Sequence, residues 1–92
     1  MTYFTPESYQ VLSKMLVWHR KRSKITQQTL ADLAGISRTA VQRLENGTAP
    51  VQMDTLWKIL KILNIKMSYS SPIMTQYIEV AQPNQSTDET EI

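Results

Sequence analysis

Apolar residues recur at helical spacing along the chain as far as Leu63, and from Ile65 the period changes to two. Thr5-Pro6-Glu7 offers a capping hydroxyl, a proline at a first helical position and an acid facing the dipole. This predicts a first helix running to about Arg22 or Ser23, with Tyr9, Leu12, Leu16 and His19 as its core stripe. Val11, Met15 and Trp18 form a second apolar stripe beside it. Leu30, Leu33 and Ala34 mark a helix over 27–34, and Ile36, Ala40, Val41 and Leu44 mark another over 38–45. Thr26 and Ser37 suit the two helix starts, and Gly35 supplies the positive φ that lets the chain reverse between them. Pro50 and its small neighbours interrupt the pattern, and a fourth helix comes after them over Met53–Leu63, burying Leu56, Ile59, Leu60 and Leu63.

Beyond that helix, Ile65, Met67 and Tyr69 alternate with Lys66, Ser68 and Ser70, which predicts a strand. Ser71-Pro72 breaks it. Residues 73–80 read as a second strand or an adaptable docking segment, and residues 81–92 as a disordered acidic tail. A lone strand cannot satisfy its own edge. It needs the 73–80 segment or the same strand of another subunit, which makes Ile65, Met67 and Tyr69 dimerisation candidates. The expected organisation is an arm over 1–5, a helical domain over 6–64, a strand and docking segment over 65–80, and the tail.

Two short helices joined at Gly35, the second carrying Arg38, Thr39, Gln42 and Arg43 outside its apolar stripe, form the layout of a helix-turn-helix reader of DNA. Arg38 and Arg43 suit guanine, Gln42 adenine, and Thr39 a thymine methyl or a base edge. Charge agrees. Residues 1–70 hold all ten Lys and Arg against four acids, a net +6, whereas residues 71–92 hold four acids and no base, a net −4. A basic body with an acidic tail suits a polyanionic partner. The helix-end run His19-Arg20-Lys21-Arg22-Ser23-Lys24 places Arg20 and Lys24 near phosphates in such a protein. The chain has no cysteine and one histidine, so no disulfide framework, metal cage or cofactor is expected. Its apolar runs are too short for a membrane span or a signal-peptide core, so a cytoplasmic, nucleoid-associated protein is expected and no membrane partner.

Arg20, Ile25-Thr26-Gln27, Leu30-Ala31, Gly35-Ile36-Ser37, Val41, Leu44-Glu45-Asn46-Gly47, Leu56 and Lys58-Ile59-Leu60 together resemble the Xre family. This is the helix-turn-helix family of the lambdoid phage repressors, and the likeness covers about residues 8–65. It implies a mainly α, lambda-repressor-like helix-turn-helix bundle, here with a short C-terminal β-strand and a flexible tail. The strand placed directly after the last clear helix, and the tail after it, resemble HipB-type antitoxins. Those are dimeric repressors that bind their own operator and hold a HipA-type serine/threonine-kinase toxin. By resemblance, Arg20, Gln27 and Asn46 are phosphate-binding candidates, to which Lys24 of the basic run and the helix-start residues Thr26 and Ser37 are added, and Arg20 with Glu45 is a brace behind the recognition helix. Three positions depart from the family: Lys24 stands where a helix-ending glycine is usual, His19 where an apolar residue is usual, and Gln52 where a Ser or Thr cap is usual.

The resulting expectation is an autorepressing antitoxin that pairs with itself, with double-stranded operator DNA and with a HipA-like kinase. Val11, Met15, Trp18, Tyr77 and Ile78 are the candidates for the kinase-binding surface. Cover of the α1 stripe by the protein's own strand or arm is the plainer reading of Val11, Met15 and Trp18. A free-standing Xre-type regulator shares every DNA feature, and only a partner separates the two. A protein-only adaptor would show weak salt dependence on DNA. An enzyme has no support, since glycine-rich phosphate loop, cysteine nucleophile, metal cluster and paired catalytic carboxylates are all missing from the sequence.

Overall fold

The computed structural model describes residues 2–81. Five helices succeed one another: α1 Tyr9–Arg22, α2 Gln27–Ala34, α3 Arg38–Asn46, α4 Met53–Ile62 and α5 Met74–Ala81. Helices α2 and α3 pack on each other, α1 packs on α3, and α4 packs on α2. Leu16, Leu30, Ala31, Val41, Leu44, Leu56, Ile59 and Leu60 fill the space between the first four helices. The mainly helical bundle expected from the periodicity is therefore present.

Each of the first three helices starts on a hydroxyl. Ser8, Thr26 and Ser37 accept from the backbone N–H of Val11, Thr29 and Ala40 at 3.3, 3.0 and 3.0 Å. The α1 start thus lies at Ser8, not at Thr5-Pro6. A turn begun at Pro6 would add no buried apolar residue, so the cap next to Tyr9 and Leu12 prevails. Gln52 offers α4 no side-chain bond, as its chemistry suggests.

Three helix ends share one device. Lys24, Gly35 and Asn64 adopt left-handed backbone with φ of 60°, 70° and 58°. Each is succeeded by an isoleucine whose N–H reaches the carbonyl five residues back: Ile25 to Arg20, Ile36 to Ala31 and Ile65 to Leu60, at 3.4, 3.0 and 2.9 Å. This closes the orphan carbonyls, and all three isoleucines pack against the core. Lys24 therefore does adopt the costly conformation that its place in the sequence implies.

Several expectations are corrected. The structure forms no strand among the described residues, so the C-terminal β-strand expected over 65–70 is absent. Ile65 is the apolar plug of the α4 end and Met67 also packs on the core, which produces the period of two without any ladder. Tyr69 stays exposed and donates its hydroxyl hydrogen to Met67 Sδ at 2.8 Å. Residues 73–80, expected as a second strand or docking segment, lie almost wholly in α5. Leu33, placed on the α2 core stripe, is 58% exposed, because the buried line of α2 runs through Leu30 and Ala31 instead. The second α1 stripe is divided. Met15 packs on the core, while Val11 and Trp18 are exposed, and the arm residues Tyr3 and Phe4 are themselves exposed rather than laid over a helix. Ala81 ends α5, so only the remainder of the expected tail, 82–92, is left, and it lies outside the described residues.

The sequence pattern does not announce one close approach. Gly47, with φ 64°, ends α3 directly against α1. A Cβ there would stand 3.3 Å from the Gln10 Cα and 3.4 Å from Ser13. Ser13 is small and buried, and its Oγ has no hydrogen-bond partner among the described residues. At Gly35, in contrast, a Cβ would meet nothing within 4 Å. Gly35→Ala is expected to cost about 1 kcal/mol, from the left-handed backbone alone. Gly47→Ala should cost more, about 2–3 kcal/mol, because α1 backbone must also shift. Urea unfolding of the two variants side by side measures the difference.

Candidate nucleic-acid interface

The C-terminal end of α1, the start of α2 and the whole of α3 meet at one carboxylate. Glu45, on α3, accepts from Arg20 Nε at 2.6 Å and Arg20 Nη2 at 3.1 Å. Gln27, the first residue of α2, donates from Nε2 to the same carboxylate at 3.0 Å. Arg20 Nη1 also donates to the Ile25 carbonyl at 2.8 Å, across the left-handed turn at Lys24. The pair is nearly sealed from solvent, the Arg20 and Glu45 side chains being 11% and 6% exposed. Charge-assisted, bidentate geometry of this kind is directional as well as strong.

A groove opens beside this brace, lined by Arg20, Lys21, Lys24, Ile25, Thr26, Gln27, Gln28 and Arg38. It gathers one end of each of three helices. The first-turn N–H groups of α2 that lie outside the Thr26 cap face external acceptors by helix geometry, and the dipole favours an anion there. Lys21, Lys24 and Arg38 add positive charge around the same opening, whereas Arg20 is turned largely into the brace. Of the phosphate-binding candidates, Arg20, Lys24, Thr26 and Gln27 come together here. Gln27 lines the groove while one of its amide hydrogens is committed to Glu45. Ser37 and Asn46 lie elsewhere, at the two ends of α3, both exposed, with the Ser37 hydroxyl capping its own helix.

On α3 the base-reading candidates fall on one side. Val41 and Leu44 point into the core, and Arg38, Gln42, Asn46, Thr39 and Arg43 succeed one another around the opposite arc, at about 100° per residue. Arg38, Thr39 and Arg43 are exposed, and Gln42 is half-buried. Arg38 borders the groove by α2. Arg43 borders a second depression on the other flank, lined with it by Ala40, Leu44, Ala49, Pro50, Val51, Gln52 and Thr55. The α4 start that opens there has no side-chain cap, although Asp54 in its first turn, 3.1 Å from Lys58, opposes an anion.

Sequence reasoning missed Lys21, Gln28 and this second flank. Lys21 belongs to the same basic helix-end run as Arg20 and Lys24, a signal already in the sequence. The flank formed by 49–55 depends on how the α3–α4 loop folds back, and no local pattern announces it. His19 is half-buried, with Nδ1 2.8 Å from the Met15 carbonyl and its ring edge-on to Trp18 at 5.0 Å. The Arg22 guanidinium lies 5.5 Å from the Trp18 ring centre, so this cluster holds the far side of α1 rather than the groove.

Known proteins share this outline. A helix-turn-helix family model, HTH_3, matches residues 17–70. An uncharacterized HTH-type transcriptional regulator of Bacillus subtilis (strain 168), YqaE, is 40% identical over 50 residues, covering 54% of this chain and 43% of that protein. The chain therefore spans less than half the length of that relative. Among solved structures, HipB in a HipA-HipB-O2-O3 complex superposes with TM-score 0.69 at 24% identity, over 76% of this chain and 99% of that one. HipB in an O1-O2 complex gives TM-score 0.68 at 25% identity, over 75% and 100%.

Glu45→Ala would strand the Arg20 guanidinium in a buried place. The expected loss of stability is about 3 kcal/mol, against about 1 kcal/mol for Gln27→Ala, which removes a single hydrogen bond. Thermal unfolding of both variants checks the ratio, and near-equal losses would show that Arg20 finds another partner.

Proposed function

This chain belongs to the helix-turn-helix family, and from that premise we propose that it is a sequence-specific, DNA-binding transcriptional repressor acting as an antitoxin. The observation that carries the DNA reading is the adjacency of a basic groove, fed by the α2 N-terminus, to an exposed polar arc on α3. The two surfaces divide the work. Phosphates in the groove fix register and orientation, and the arc chooses among base edges in the major groove. Thr26, Gln27, Lys24 and the neighbouring Lys21 hold the backbone, joined by Ser37 and Asn46 at the ends of α3. Arg38, Thr39, Gln42 and Arg43 read the bases. Two copies would place two such helices on successive half-sites, about 34 Å apart, of an operator controlling the protein's own gene.

The antitoxin part rests on likeness and on one surface. HipB, which shares this fold, has been solved in a complex with HipA, O2 and O3. The exposed Val11 and Trp18 on α1, uncovered by any strand or arm, give a kinase of the HipA type an apolar surface to hold, with Tyr77 and Ile78 as further contacts. Among the described residues no helix is long and apolar enough to cross a membrane.

Selection of binding sites from a random duplex pool, with wild type and Arg38→Ala in parallel, tests the DNA reading. Arg38→Ala is expected to relax preference at one position of the half-site. Lys24→Ala should instead weaken all sequences alike and lower the slope of log affinity against log salt by about 1. Unchanged preference in Arg38→Ala would remove that residue from the base readers. For the antitoxin part, Trp18→Ala is expected to reduce recovery of a kinase-type partner in affinity capture while leaving DNA affinity intact. Recovery of no such partner by wild type would leave a free-standing regulator.

A further inference from the structure

We propose that the acidic segment 82–92 folds back onto the basic groove and competes there with outside polyanions. None of the residues that line the groove is acidic. Arg20 is satisfied by Glu45, whereas Lys21, Lys24 and Arg38 are exposed and form no ion pair among the described residues. Three like charges around one concave surface repel one another until an anion joins them. The acids of the helical body do not supply it: Glu45 lies inside the brace, Asp32 accepts from Gln28 at 2.9 Å, and Asp54 faces Lys58. Other cations make poorer seats. Lys58 is already paired, Arg22 lies over the Trp18 ring, and Arg43 is the one charged residue lining the second depression.

The matching carboxylates lie beyond α5. Asp88, Glu89 and Glu91 fall within four residues, and no Lys or Arg occurs after Lys66 to neutralise them. Between Ala81 and Ile92 the segment carries no large apolar side chain except Pro83, so charge rather than burial is what seats it. Seven to ten extended residues span up to ~23–36 Å. That reach is comparable with the 41 × 25 × 25 Å dimensions of the domain, so the contact asks no helix to unfold. Tethering holds the carboxylates near the groove at an effective concentration on the order of millimolar. Exposed ion pairs are individually weak and screened by salt, so the groove is covered part of the time and opens as salt rises. An outside polyanion then binds only the open fraction, and its apparent dissociation constant rises by the inverse of that fraction. The consequence for DNA rests on the proposed DNA reading, whereas the contact itself does not.

Because the chain has no cysteine, Thr90→Cys carries a single nitroxide label among the acids without removing any of them. At low salt the label is expected to broaden the amide signals of Lys21, Lys24 and Gln28 to roughly half their intensity or less, and to spare that of Arg43 on the other flank of α3. About 1 M salt, where the screening length is about 3 Å, should restore them. Unbroadened groove signals, or an equal loss at Arg43, would overturn the proposal. In the full chain, Asp88→Asn combined with Glu89→Gln and Glu91→Gln is expected to tighten binding of a random-sequence duplex about threefold at low salt, with the two proteins converging at high salt. Broadening in the groove without that gain would overturn the competition. A chain that binds no duplex, yet whose label still maps to the groove, would sink the DNA reading and leave the contact standing.

Discussion

One buried carboxylate sets the attitude of three helices. Glu45 sits on α3 but takes its hydrogen bonds from Arg20 on α1 and Gln27 on α2, and Arg20 also holds the Ile25 carbonyl beyond the α1 end. A buried ion pair is a poor means of adding stability, because desolvating both partners offsets much of their attraction. Its virtue here is direction. An apolar contact tolerates rotation of one helix on another, whereas a forked guanidinium on a carboxylate does not. The start of α2, which borders the basic groove, and the exposed arc of α3 are thereby held in one relation.

Small residues complete that constraint. Gly47 lets the end of α3 meet α1 at backbone distance, and Ser13 faces it with the least bulk a hydroxyl residue allows. Ala31, wholly buried, does the same for α2 among its neighbours. Close approach at these positions brings Arg20 within reach of Glu45. The brace and the small residues are thus two expressions of one packing geometry.

The first four helices were legible because each repeats a buried stripe, and the starts of α2 and α3 because each opens on a hydroxyl cap. Arg20 and Glu45 were legible through the family likeness. What escaped was settled by nonlocal contacts that neither local pattern nor the likeness announces. Leu33 has the right period for the α2 core, yet that line passes through Ala31, whose small side chain gave no signal. The family likeness makes Gln27 a phosphate candidate but does not announce its bond to Glu45, a residue eighteen positions away. Ile65 misled most. As the third isoleucine placed directly after a left-handed residue, it repeats Lys24-Ile25 and Gly35-Ile36, and the repeat outweighs the alternation that suggested a strand. For 73–80, both periods were available in so short a stretch, and a strand would have needed the neighbour that 65–70 does not supply.

The same repeat marks where the domain's own core ends. With Ile65 sealing α4 and Met67 laid on the core, the buried stripes of the first four helices are complete, and Pro72 separates α5 from them. Helix α5 adds no buried residue to that core, so its loss would cost the first four helices little. Such weakly coupled elements open at small free-energy cost. The brace at Glu45, in contrast, fixes the relation between groove and arc independently of α5.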